Sequence, residues 1–167
     1  MKPIKIDVWD HDFGLNADDH LGYVQIDWNK CIENSGKWAI NEIFTIQAPP
    51  DTTIVPDNNK WGEIYVQVKF LKDGTADDLT EPPLIQNLEE ILKIESIPIE
   101  GKLSIRIIHG KNLPVMDTVL QGGKADPFVK VILPIGCKDY QTPVVGSNLN
   151  PIWNDKKDLD VAIAKNV

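Results

Sequence analysis

Four aspartates, Asp10, Asp12, Asp18 and Asp19, fall within one short stretch, DHDFGLNADD. Carboxylates this close repel one another unless something cationic sits among them. Oxygen-only donors on a loop suit a hard cation, and calcium accepts about six to eight oxygens in loose geometry. A solvated, acidic hairpin tip is the plain alternative. An EF-hand is excluded. After Asp10-x-Asp12 the glycine comes one position early, at Gly14, and Leu21 stands at the twelfth position, where a bidentate glutamate is required.

The elements that must position these acids are strands. Ile4, Ile6 and Val8 alternate with Lys5, Asp7 and Trp9, the period-2 pattern of a half-buried strand over 4–9. The chain leaves the acidic stretch through Leu21-Gly22 into a second strand, Tyr23–Trp28, and a turn is expected at Glu33-Asn34-Ser35-Gly36. Trp38–Gln47 reads as a third strand, irregular near Asn41. Gly62–Leu71 is the cleanest: Ile64, Val66, Val68 and Phe70 lie on one face, and Tyr65, Gln67 and Lys69 on the other. Residues 75–100 read as linker, with Leu84, Leu88, Ile91 and Leu92 at helical spacing over 84–94. Four further strands are expected at Leu103–Ile108, Phe128–Leu133, Tyr140–Val145 and Leu159–Ala164.

Composition narrows the function. The chain has 167 residues, enough for one domain with a real core, and a formal net charge of -8. That charge argues against a nucleic-acid partner, because phosphate binding needs a basic face. The two cysteines, Cys31 and Cys137, are too few for a disulfide framework, so reduced thiols and a cytoplasmic setting are expected. No apolar run approaches the length of a membrane span, and Met1-Lys2-Pro3 opens directly into a strand, so no signal peptide is expected. Twelve prolines and 11 glycines between short β-branched runs favour an all-β sandwich or barrel. No enzyme signature is found. His11, His20 and His109 lack a nucleophile motif, Gly122-Gly123-Lys124 lacks the Ser or Thr of a phosphate loop, and the cysteines lack zinc spacing.

The segment LPVMD…GGKADPFVKVIL…TPVV…NLNPIWND resembles the first half of a C2 domain, the calcium-dependent membrane-binding module of protein kinase C and the synaptotagmins. Asp117, Asp126 and the Asn150-Pro151-Ile152-Trp153-Asn154 turn carry that likeness. The opening VWDHD…DDHLG is similar to the second half of the same domain, through Asp10, Asp12 and Asp19. The resemblance implies an eight-stranded antiparallel C2-type β-sandwich. It also implies a calcium site made of Asp10, Asp12, Asp117, Asp126 and either Asp18 or Asp19, with the Leu-Gly anchor favouring Asp19. In such a site His11 would serve through its backbone carbonyl. The loop from Asp117 to Asp126 is longer than usual for the family, and no lysine cluster follows Cys137-Lys138, so the phosphoinositide-binding patch of some members is not expected. The function implied is calcium-dependent binding to anionic phospholipid membrane, with Phe13, Leu15, Val119 and Leu120 entering the headgroups. Protein partners would come in addition, with peripheral membrane localisation. A calcium-independent protein-interaction scaffold on the same fold is the alternative.

The halves stand in permuted order, with residues 1–74 matching the back of the domain and 101–167 the front. Either the chain is an excerpt from tandem C2 domains, or the halves pair within one circularly permuted sandwich. Each half supplies four strands, one full complement without duplication, and a lone half-sheet would expose its apolar face. Folding the halves together is therefore expected, with Gly62–Leu71 beside Leu103–Ile108 and the chain termini close together.

Overall fold

The computed structural model describes residues 2–12, 17–53, 56, 60–77, 99–116, 124–133 and 137–163. Among the described residues, eight strands and one short helix follow in chain order: β1 (Ile4–Asp10), β2 (Asp19–Ile26), α1 (Trp28–Glu33), β3 (Trp38–Thr45), β4 (Glu63–Lys72), β5 (Ile99–Lys111), β6 (Pro127–Ile132), β7 (Tyr140–Gln141) and β8 (Ile152–Ile163). They form two four-stranded antiparallel sheets, ordered β2-β1-β6-β7 and β3-β4-β5-β8. The expected all-β, eight-stranded antiparallel sandwich is what forms. Both sheets join residues 1–74 to residues 101–167: β1 pairs with β6, and β4 runs beside β5 from Glu63 opposite Lys111 to Lys72 opposite Gly101.

Alternation along each strand builds the core between the sheets. Ile4, Ile6 and Val8 of β1 and Val129 and Val131 of β6 face Ile64, Val66, Val68 and Phe70 of β4 and Leu103, Ile105 and Ile107 of β5, all fully buried. Each such side chain contributes roughly 1.5–3 kcal/mol. One tie crosses between the sheets at their edge, where Tyr140 on β7 donates its hydroxyl hydrogen to Asp155 Oδ2 on β8 at 2.7 Å.

Several boundaries differ from those the sequence suggests. The strand expected to reach Trp28 stops at Ile26, and α1 follows. Asp27 caps this helix by accepting the Asn29 N–H, and Trp28 and Cys31, three apart, turn into the core. The irregularity of β3 lies between Trp38 and Ile40, just ahead of Asn41. The third strand of the second half is only Tyr140–Gln141. Thr142 continues the pairing, giving its own N–H to the Val129 carbonyl and taking the Val129 N–H on its side-chain Oγ1, both at 3.0 Å, and Pro143 then has no N–H to give. β8 starts at Ile152, seven residues before the expected Leu159, because a strand on the sheet's edge tolerates the solvated Lys156-Lys157-Asp158 run. The helix expected over 84–94, Asp117, Phe13, Leu15, Val119, Leu120 and both chain termini lie outside the described residues.

Gly22 is the point where β2 passes closest to the segment after β3. Tyr23 and Gln47 exchange both backbone hydrogen bonds, at 3.0 and 2.9 Å. Gly22 has φ 137°, and a Cβ there would collide with the Gln47 carbonyl oxygen and the Ile46 side chain. Gly22→Ala should therefore cost about 1–3 kcal/mol, seen in urea unfolding as a lower midpoint at unchanged slope.

Candidate cation site

β1 ends at Asp10, in the middle of its sheet, with Asp19 of β2 opposite on one side and Pro127 of β6 on the other. A bulge creates the first of these pairings. Val8 faces Gly22 but Trp9 faces His20, so Leu21 is the extra residue and Asp19 comes to lie across from Asp10. Like charges directly opposite are destabilising in a sheet. Asp10 is only 1% exposed, and its Oδ1 accepts the backbone N–H of Asp126. The Asp126 carbonyl in turn accepts the His11 N–H at 3.0 Å, and the Asp126 carboxylate accepts the Ser147 N–H. The first acidic loop and the residue that closes the second are thus joined at one end of the sandwich.

Asp12, Asp18 and Asp19 lie on the same loop end, and their charges are felt at Asp19. Partial burial, then repulsion from Asp12 and Asp18, raises the Asp19 carboxyl above its usual range. Asp18 differs from its neighbour, because its Oδ1 lies 2.9 Å from His11 Nδ1. His11 also stands edge-on to Phe128, with ring centroids 6.2 Å apart.

A second charged cluster supports the loop from the outer face of the first sheet. Asp7 is 1% exposed, and its Oδ1 has Lys5 Nζ at 2.8 Å and His20 Nε2 at 2.9 Å. Burial alone would raise the Asp7 carboxyl, but the contacts with His20 and Lys5 outweigh it and hold the group below its usual range. His20 stacks on Trp9 at 4.5 Å, and Lys130 Nζ sits over the Trp9 ring, also at 4.5 Å.

The structure therefore brings Asp10 and Asp126 into direct contact, sets Asp19 across from Asp10, places Asp12 where it acts on Asp19, and engages Asp18 with His11. Among the described residues no group of three or more His, Cys, Asp or Glu side chains is placed to hold a metal ion. The crowding of carboxylates felt at Asp19 is of the kind that a hard cation among oxygen donors relieves. Sequence reasoning did not find Ser147 as a partner of Asp126, nor Lys5 and His20 as the neighbours that keep Asp7 charged. The only sequence signal for Ser147 was its place in a run of turn-forming residues, Gly146 to Asn150.

The model of one protein family, C2 domain, matches residues 1–46 and 101–166. Among curated proteins, the chain is 25% identical over 166 residues to synaptotagmin-5 of Arabidopsis thaliana, covering 90% of this chain and 28% of that protein. It is 33% identical over 140 residues to synaptotagmin-1 of Caenorhabditis elegans, covering 75% of this chain and 31% of the relative. It is also 25% identical over 176 residues to multiple C2 and transmembrane domain-containing protein 1 of Rattus norvegicus, covering 95% of this chain and 16% of that protein. The chain thus spans less than a third of the length of each. No solved structure gives a significant match. No helix among the described residues is long and apolar enough to cross a membrane.

Asp7 and Asp19 should respond to pH in opposite senses. Asp19 has a raised pKa in the folded state, so its ionisation lowers stability, fully above that pKa and not at all at acid pH. Asp19→Asn should raise the chelator-state Tm at neutral pH, and the gain should vanish as pH falls through the carboxylate range. Asp7 has a lowered pKa, so it adds stability above the ordinary carboxylate pKa and loses it as pH falls through the depressed one. Asp7→Asn should lower Tm at neutral pH, the difference closing in acid. Melting curves recorded across pH check both.

Proposed function

The chain belongs to the C2-domain family, and on that premise we propose that it is a calcium-dependent membrane-docking module, not an enzyme. The observation that carries this reading is the junction of the two acidic loops, where Asp10 Oδ1 takes the Asp126 N–H and Asp19 stands opposite Asp10. Calcium would be held by Asp10, Asp12, Asp19 and Asp126, with Asp117 added from the sequence motif alone. Asp19 is preferred to Asp18 because Asp18 is engaged by His11 and the Leu21-Gly22 anchor counts back to Asp19. In this reading residues 1–74 and 101–167 act as the two parts of one C2 unit, and residues 75–100 link them. Its setting would be the cytoplasmic face of a membrane, with protein partners bound in addition.

The mechanism is electrostatic. Without the ion, five carboxylates at one end of the sandwich face a cytoplasmic leaflet whose surface potential is about -30 mV, and are repelled by it. Bound calcium would offset most of that charge and offer open coordination positions to lipid phosphate oxygens. Asp10 serves as the fixed point, since its position in the centre of a sheet and its bond to the Asp126 N–H keep it from following the more exposed acids. Phe13 and Leu15 from one loop, and Val119 and Leu120 from the other, then enter the headgroup region. Each contributes roughly 1.5–3 kcal/mol if fully buried.

Sedimentation with phosphatidylserine vesicles, in calcium and then in chelator, tests the proposal. Binding is expected in calcium and lost in chelator. Asp12→Asn should weaken calcium and vesicle binding together, each by about tenfold, or about 1.4 kcal/mol. Phe13→Ala should weaken vesicle binding while sparing calcium. Equal vesicle binding with and without calcium, or none in either, would leave the calcium-independent scaffold as the better reading.

A further inference from the structure

Residues 145–151 run between the two feet of the loop that joins β5 to β6 and hold both. At the first foot, Asn112 takes a left-handed backbone, φ 54°, as β5 ends, and its N–H donates to Asn150 Oδ1 at 2.9 Å. The next N–H, of Leu113, donates to the Leu149 carbonyl at 3.0 Å. At the second foot, Asn148 N–H donates to the Ala125 carbonyl at 2.8 Å, Val145 N–H donates to the Pro127 carbonyl at 3.0 Å, and Ser147 N–H donates to the Asp126 carboxylate. The turn also closes on itself: Asn148 Oδ1 accepts the Asn150 N–H at 2.8 Å, and Ser147 is left-handed, φ 52°. One turn therefore holds Asn112 and Leu113 at the first foot and the Asp126 carboxylate at the second.

Three of these six bonds are backbone to backbone, and one of the others ends on the Asp126 carboxylate. Two depend on side chains of the turn, the amide oxygens of Asn150 and Asn148. We propose that Asn150, seconded by Asn148, is a positioning residue of the cation site. It sets the first foot of the loop against Asp126, and so tunes calcium affinity without touching the ion. This rests on the calcium reading given above. Asn112 and Asn150 are both exposed, so their hydrogen bond competes with water and adds little to global stability. A binding constellation tolerates displacements of only about 0.5 Å, so a small shift at the foot registers in affinity first.

Calorimetric titration of the full 167-residue chain with calcium chloride, paired with melting in chelator, separates positioning from stability. Asn150→Ala should bind calcium about threefold to tenfold more weakly than the parent. Its chelator-state Tm should stay within about 2 °C of the parent. Asn150→Asp keeps the acceptor oxygen and should recover the affinity, while Asn148→Ala should show a smaller loss in the same direction. A parent chain that does not bind calcium overturns the calcium reading, and this proposal with it. Parent binding matched by Asn150→Ala, or a loss that Asn150→Asp does not recover, overturns the positioning role alone. Should Asn150→Ala fail to fold, Asn148→Ala decides, and unchanged affinity there overturns the proposal.

Discussion

The hydrogen bond from the Asp126 N–H to the Asp10 carboxylate is the contact on which the acidic end of this molecule depends. A buried carboxylate among other carboxylates is expensive, and hydrogen-bond donors that reach it offset that cost. The backbone supplies one here, and in doing so it locks the order of the strands. Asp10 can receive that N–H only while β1 lies against β6, and Asp126 can present it only while the following Pro127 opens β6. The sheet pairing and the charge arrangement are one constraint seen twice.

Burial of polar groups follows a common pattern on the two outer faces. On the first sheet, Asp7 is matched by Lys5 and His20, and Lys130 lies over Trp9 and Phe128. On the second, Tyr65, Gln67 and Lys69 of β4 are buried although they point away from the core. Asn41 accepts hydrogen bonds from the Tyr65 hydroxyl at 2.6 Å and Gln67 Nε2 at 3.0 Å, and Lys69 pairs with Asp77. Trp38 has Lys69 at 5.3 Å and Arg106 at 5.8 Å from its ring. In both sheets the charged head of a long cationic side chain sits over an aromatic ring.

The edges are handled differently. β7 is only two residues long, and β8 carries Lys156, Lys157, Asp158 and Asp160, so neither offers a long apolar edge to another chain. The hydrogen bond from Tyr140 to Asp155 joins these two edge strands across the sandwich. Burial and that bond both push the Tyr140 hydroxyl well above its ordinary pKa, so it remains a donor throughout the working range.

The sequence by itself determined the most regular strands and which of their faces would be core. Alternation at 4–9, 62–71 and 103–108 needs no partner to be legible, because side-chain direction is set by the backbone's own period of two. The acids and their flanking motifs, VWDHD and KADPFVKV, were equally readable as residue types at fixed spacing. The tertiary structure alone decided how those pieces meet. The bulge that sets Asp19 across from Asp10 is a matter of register between two strands. The contact between Asp10 and Asp126 joins residues 116 positions apart, and the hold of Asn150 on Asn112 spans 38. Short α1 stayed hidden because its six residues show too little periodicity to stand out from the strand before it. Local pattern reports local geometry. Which backbone N–H reaches which carboxylate depends on loop closure and on packing between distant strands, and no window of sequence contains both.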